Sequence, residues 1–259
     1  MKRSKQHNSH NERVVQATAQ DMTPKEFSKL ADGSEVRPMK RGLYGEFLYW
    51  AGMTLSKMLL KIEVRGTENL PQDDEAYLLC PNHETYIDAM WVGGFLPRSH
   101  RKRYACLAAE DLLTDHGAFG RLIIRVGRGI PLNRKGNPLN GMKMAIKQVK
   151  EGNILMVHPE GTRTRTGKLG KLQEGAAFIS RHSEAPIIPV FIDGGYEIFS
   201  RHRKWPSFWD KKKRRRRRLI LTYGKPLDPA DFKNTKALTA ALEAWMTQSF
   251  ADKEVPRVY

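Results

Sequence analysis

The chain has 259 residues, 40% of them hydrophobic, which is enough to bury one substantial core, and it carries a formal net charge of +17. That charge exceeds what solubility requires, so an anionic partner is expected: nucleic acid, an anionic membrane face, or acidic substrates and carriers. The two cysteines, Cys80 and Cys106, each sit in an apolar run; this excludes a disulfide framework and reads as reduced, buried thiols.

Residues 1–40 are polar, open on MKRSKQHNSHNERVVQ and lack sustained periodicity, so a flexible extension is expected there rather than a secretory signal. The folded domain is expected over 41–252, with a short tail over 253–259. From Leu43 onward Phe47, Leu48, Ala51, Leu55, Met58 and Leu59 recur at a helical period, which predicts an N-terminal amphipathic helix. Glu46 and Lys57 interrupt it, and no segment reaches the roughly 18 consecutive apolar residues of a membrane-spanning helix. It is expected to lie on a membrane rather than cross one. Short apolar runs follow: AYLLC, YACLAA, ILMVH, PIIPVFI and LILTY. They are separated by segments with helical patterning such as LNGMKMAIKQVKEG and QEGAAFISRHS. The alternation predicts a single α/β domain with a largely parallel sheet flanked by helices, its functional loops at the carboxyl ends of the strands.

The stretch CPNHETYIDAM, Cys80–Met90, places His83 and Asp88 five residues apart behind the first of these runs. On a continuous helix such residues point about 140° apart, so His83 must precede the helix. The two can meet if the strand ends near Cys80, Pro81–Glu84 form a turn, and Thr85 caps a helix starting at Tyr86, with Asp88 in its first turn. An imidazole held by a carboxylate is an oriented general base. The same residues also fit a capping pattern in which Asp88 satisfies backbone N–H groups and His83 is an ordinary loop residue. The stretch by itself leaves both open. A zinc site is not expected: Ile87 stands where the His-Glu-x-x-His pattern needs its second histidine, and the remaining histidines lack ligand spacing. Gly-x-Ser-x-Gly, Walker and dinucleotide-binding patterns are absent. Cys80 as a covalent nucleophile is a further alternative, set against its place at the end of an apolar run.

A second loop, HPEGTRTRTGK, His158–Lys168, follows another buried strand. Guanidinium groups bind phosphate oxygens in pairs, hydroxyls add hydrogen bonds, and glycine allows close backbone approach, so the loop suits an anion. Arg134, in GRGIPLNRKG, is a further basic position. Taken in order, NHETYID, GIPLNR, HPEGTR and APIIPV resemble the four sequence blocks of the glycerolipid acyltransferases, the family containing lysophosphatidic acid acyltransferase. His83 and Asp88 match the His-x4-Asp motif and Arg134 the arginine of the second block. Glu160, Gly161, Thr162 and Arg163 match the third block, and Pro186–Val190 the fourth. Pro131 stands where an aromatic or aliphatic residue is usual, Asn133 where an acidic one is frequent, and Thr85 where serine is common.

The resemblance implies an O-acyltransferase in which His83, oriented by Asp88, deprotonates an acceptor hydroxyl. It implies an acyl-CoA or acyl carrier protein thioester as donor, and a lysophospholipid acceptor, 1-acylglycerol-3-phosphate or another lyso-lipid. Arg134 and Arg163 would hold an acceptor phosphate. Glu160, Gly161 and Thr162 would shape the substrate loop, with backbone N–H groups near Gly161 as oxyanion donors. No bound cofactor or metal is implied. Trp205, Phe208 and Trp209 precede the run Lys211, Lys212, Lys213, Arg214, Arg215, Arg216, Arg217 and Arg218. Interfacial aromatics beside consecutive cations suit an anionic membrane surface, so peripheral docking on the cytoplasmic, inner face of a membrane is expected. A nucleic-acid clamp is the rival for the same charge, but no nucleic-acid-binding signature accompanies it.

Overall fold

A computed structural model describes residues 38–72, 74–109, 117–132 and 138–256. Its strands in chain order are β1 (Lys61–Arg65), β2 (Leu78–Pro81), β3 (Tyr104–Ala109), β4 (Gly129–Leu132), β5 (Ile154–Met156), β6 (Ile187–Asp193), β7 (Trp209–Asp210), β8 (Arg215–Arg216) and β9 (Arg218–Tyr223). The main sheet runs β1-β9-β6-β2-β5-β3-β4, and β7 pairs with β8 as a separate hairpin. Every neighbouring pair in the main sheet is parallel except β6 with β9. The expected α/β domain with a largely parallel sheet is therefore what the chain forms.

The helices are α1 (Gly42–Leu59), α2 (Asp88–Gly94), α3 (Arg98–Arg103), α4 (Gly117–Val126), α5 (Pro138–Lys150), α6 (Gly175–Ser183), α7 (Gly195–Phe199) and α8 (Thr235–Ala251). They divide the core in two. Leu78 and Cys80 of β2 pack with residues of α5, α6 and α8, among them Ala145, Ala177 and Leu242. Leu79, the residue between them, packs on the other side with Tyr49 and Met53 of α1 and Trp91 of α2. Side chains alternate across a strand, so two helical layers cover both faces of the sheet.

One local expectation changes, and the faces of α1 become defined. Helix α2 starts at Asp88 rather than Tyr86, because the Ile87 N–H is taken by Thr85 Oγ1 at 2.9 Å and Tyr86–Ile87 form a turn. In α1 the apolar stripe is divided, with Leu48, Ala51 and Leu59 half-buried. The fully buried residues of the helix are Gly45, Tyr49, Met53 and Ser56, the last accepting a hydrogen bond from Trp91 Nε1 at 3.2 Å. Phe47, Leu55 and Met58 point outward beside Trp50, 64% exposed, and Leu43, 94% exposed. Among the described residues no helix is long and apolar enough to cross a membrane.

The basic run also divides. Arg218 leaves the run to open β9, where its guanidinium bonds Glu63 at 3.1 Å and Glu254 at 2.9 Å; those two carboxylates occupy it in place of the expected surface role. Arg217 is half-buried against Ser207 Oγ. Phe208 packs on the α1 side of the core rather than projecting, whereas Trp205 is 82% exposed and Trp209 is exposed on the hairpin.

Candidate active site

Strands β2 and β5 are parallel neighbours, with Leu79 opposite Met156. Their carboxyl ends therefore release the loop after Pro81 and the loop after Val157 side by side. Asn82 anchors the first loop to β6, its side chain exchanging hydrogen bonds with the backbone of Ile192 at 3.0 and 2.7 Å. His83 comes next, and its side chain is 20% exposed.

Asp88 is buried and accepts several bonds at once. His83 Nδ1 lies 3.0 Å from Oδ2, which also accepts the Glu84 N–H at 2.9 Å. The Thr85 N–H reaches both oxygens, at 3.1 and 3.0 Å, and Thr85 Oγ1 donates to Oδ1 at 2.7 Å. The two readings that the sequence left open are thus one structure, since the carboxylate both holds the turn and orients the imidazole. With Nδ1 carrying the proton toward Asp88, Nε2 is the basic nitrogen of the neutral ring. Burial raises the Asp88 carboxyl above its ordinary range, against the pull of these donors.

Glu160 joins the two loops. It is buried, and accepts the His83 N–H at 2.8 Å through one oxygen and the Gly170 N–H at 2.7 Å through the other. Thr164 N–H donates to His83 O at 2.8 Å, so each loop braces the other. Gly161 sits at φ +69, a left-handed conformation that suits glycine. Its N–H donates to His158 O at 3.1 Å within the turn, so among the backbone N–H groups near Gly161 this one is engaged. Thr162 is exposed on the same loop.

Arg163 lies with its guanidinium carbon 3.4 Å from the centre of the Tyr86 ring. Its Nη1 is buried without a hydrogen-bond acceptor among the described residues. Burial, followed by the nearby charge of Arg201, lowers its affinity for its proton. Arg134 falls in 133–137, outside the described residues. Cys80 is buried in the core, and burial pushes its thiol far above the ordinary cysteine range, so it supplies no thiolate for covalent catalysis.

The residue that sequence reading missed is His158. Its ring stacks on His83 with centroids 3.6 Å apart and planes 14° from parallel, and its Nδ1 lies 3.3 Å from Pro81 O. Burial, and then the proximity of His83, push its pKa down to about 3, so it remains a neutral plate at neutral pH. No local spacing announces this contact, which exists because β2 and β5 are neighbours. Ligand atoms of His83, Asp88 and His158 lie within 4.8 Å of one another. Near-parallel stacked rings do not converge their in-plane lone pairs on one point, and the Asp88 oxygens are already occupied by donors. The cluster is built as a hydrogen-bonded pair with a stacked support rather than as a cation cage.

A family model described as Acyltransferase matches residues 61–193. The 1-acyl-sn-glycerol-3-phosphate acyltransferase of Bacillus subtilis (strain 168) is 29% identical over 201 residues, 74% of this chain and 88% of that protein. The beta form of 1-acyl-sn-glycerol-3-phosphate acyltransferase from Homo sapiens is 30% identical over 157 residues, 60% of this chain and 50% of that protein. The crystal structure of the 1-acyl-sn-glycerophosphate (LPA) acyltransferase PlsC from Thermotoga maritima superposes with a TM-score of 0.64. It covers 94% of this chain and 88% of that one at 22% identity, a likeness of fold.

Proposed function

Because the chain belongs to the acyltransferase family, we propose that it moves a fatty acyl group from an acyl thioester to the hydroxyl of 1-acylglycerol-3-phosphate in phospholipid biosynthesis. The observation that carries this reading is the His83–Asp88 pair, held at 3.0 Å, with the buried Arg163 Nη1, which has no acceptor among the described residues, on the neighbouring loop. His83 Nε2 takes the proton of the acceptor hydroxyl as its oxygen attacks the thioester carbonyl. The tetrahedral oxyanion then collapses, the carbon–sulfur bond breaks, and the departing thiolate recovers the proton from His83. No acyl-enzyme forms. Arg163 faces the acceptor phosphate, and Glu160 keeps the two loops together. The test is to supply the purified protein with acyl-CoA and acyl carrier protein thioesters against a panel of lyso-lipids and to identify products by mass. Product from lysophosphatidate with either donor supports the reading, and acylation of neutral lyso-lipids alone defeats it.

His158 is a positioning residue in this scheme. Stacked aromatic rings contribute about 0.5–1.5 kcal/mol beyond burial, so His158→Ala should lower kcat a few-fold to about tenfold with little change in KM. His158→Phe should restore most of the loss, because the face contact survives. Equal losses in both variants would mean that the Pro81 contact, not the stack, is what matters.

We also propose docking on an anionic membrane face, which the exposed surface supports. Arg216 Nη1 donates to Met58 O at 2.9 Å, which ties the basic hairpin to the carboxyl end of α1. This contact brings the cationic hairpin beside the end of α1 that exposes Leu55 and Met58. Each such cation contributes about 1 kcal/mol near an anionic surface. Replacing Lys211–Arg216 with Ser/Gly should abolish cosedimentation with anionic vesicles, and wild-type binding should weaken as salt rises. Unchanged binding by that variant, or a preference for nucleic acid over vesicles, would reject the docking role.

A further inference from the structure

The four sequence blocks and the family match both end before the segment that follows β6. That strand lies beside β2, on the side opposite β5. Its carboxyl end therefore delivers α7 and the residues after it to the rim of the same site. The segment is fastened there. Tyr196 N–H donates to Glu84 Oε2 at 2.8 Å, next to the catalytic turn. Tyr196 OH donates to Arg165 O at 3.0 Å, and His202 Nε2 lies 2.9 Å from that same carbonyl. Between these anchors Arg201 extends Nη1 to Arg163 O at 3.5 Å, the long limit of a hydrogen bond.

Arg201 thus reaches the backbone of the Arg163 loop, near enough for its charge to act on the Arg163 guanidinium. Arg201 is half-buried, and its charge works against the protonated state of Arg163. Neither arginine has a carboxylate partner among the described ion pairs. Three acids around the two loops are engaged with other groups: Asp88 with His83 and its turn, Glu160 with the His83 and Gly170 N–H groups, and Glu84 with Tyr196. A buried Arg163 Nη1 without an acceptor among the described residues, with the charge of Arg201 nearby, is unfavourable in the protein alone. It becomes favourable when an anion carrying about two charges enters between them.

We propose that Arg201 is a second arginine of the acceptor's anion site, closing with Arg163 on a phosphate monoester; this rests on the acyl-acceptor reading above. The chemistry selects the ligand class. A phosphate monoester carries about −1.5 to −2 charges at pH 7 and presents three terminal oxygens. A phosphodiester head group has one charge and two such oxygens, and a neutral head group has neither. One arginine can bind any phosphate, whereas two, approaching from the loops after β5 and β6, reward the monoester. Arg201 is in this way a determinant of head-group selectivity.

The test uses the full chain and its Arg201→Ala and Arg201→Lys variants in mixed micelles, with lysophosphatidate and lysophosphatidylglycerol as competing acceptors. Arg201→Ala should raise KM for lysophosphatidate by about tenfold or more, as expected for loss of a charged hydrogen bond, and should move the donor KM far less. The monoester-to-diester selectivity ratio should fall by a similar factor. Arg201→Lys should be intermediate, since it keeps the charge but not the planar fork. If wild type uses lysophosphatidate but Arg201→Ala keeps its KM and selectivity, the proposal is overturned while the acyltransferase reading stands. If wild type rejects lysophosphatidate, the acceptor reading fails and takes this proposal with it. Cosedimentation with anionic vesicles should match wild type; a loss of binding that accounts for the whole kinetic effect would make Arg201 a docking residue and overturn the subsite.

Discussion

Replacing His83 with alanine should lower kcat/KM by about 10²–10⁴-fold while leaving the melting temperature within a few degrees of wild type. The two effects separate because the backbone and the side chain of His83 do different work. Its N–H and C=O join the loops through Glu160 and Thr164, and alanine keeps both bonds. Its imidazole is partly exposed, bonds Asp88 and stacks on His158, so its removal opens no deep core cavity. Steady-state kinetics with a thermal melt on the same sample decides the matter. Near-normal kcat in well-folded protein would rule out His83 as the base.

Asp88→Ala should fail in both respects. The substitution strands the Glu84 and Thr85 N–H groups and the Thr85 hydroxyl without their acceptor in a buried turn, and it also frees the His83 ring to rotate. Each buried donor left unsatisfied costs about 1–3 kcal/mol, so a stability loss of roughly 3–5 kcal/mol is expected, together with activity as low as that of His83→Ala. Asp88→Asn isolates the two roles. One amide oxygen can still accept from Thr85, but the amide NH₂ meets donors where Oδ2 accepted them. Much of the stability should return while turnover stays low. Recovery of turnover in step with stability would mean that Asp88 only holds the turn.

Much of the site was legible because its parts are local. The His83–Asp88 spacing already required a turn before a helix, and the composition of the Glu160–Arg163 loop already marked it as basic and suited to an anion. Strands β2, β3, β5, β6 and β9 each correspond to an apolar run, since a strand buried on both faces writes itself as one. Elements lacking such a run were less visible. β1, Lys61–Arg65, alternates charge with apolar residues at the sheet edge, and the β7–β8 hairpin lies at and within a stretch that reads as bare charge.

Local order in the chain carries periods, turns and motif chemistry, and these established the α/β class, the candidate base with its carboxylate, and the basic loop. Other facts depend on which elements become neighbours. The period of α1 marks its apolar stripe but not the side that meets the sheet. Tyr49, Met53 and Ser56 settle that by packing against α2, so Phe47 and Trp50 face outward. The run of cations does not say that Arg218 belongs to β9; its alignment opposite Lys61 and its two carboxylate partners decide it. His158 reaches His83 because β5 adjoins β2, and Arg201 reaches Arg163 because β6 adjoins β2 on the other side. Strand order joins residues far apart in the chain through long-range pairing and shared burial, and no spacing along the chain encodes those contacts.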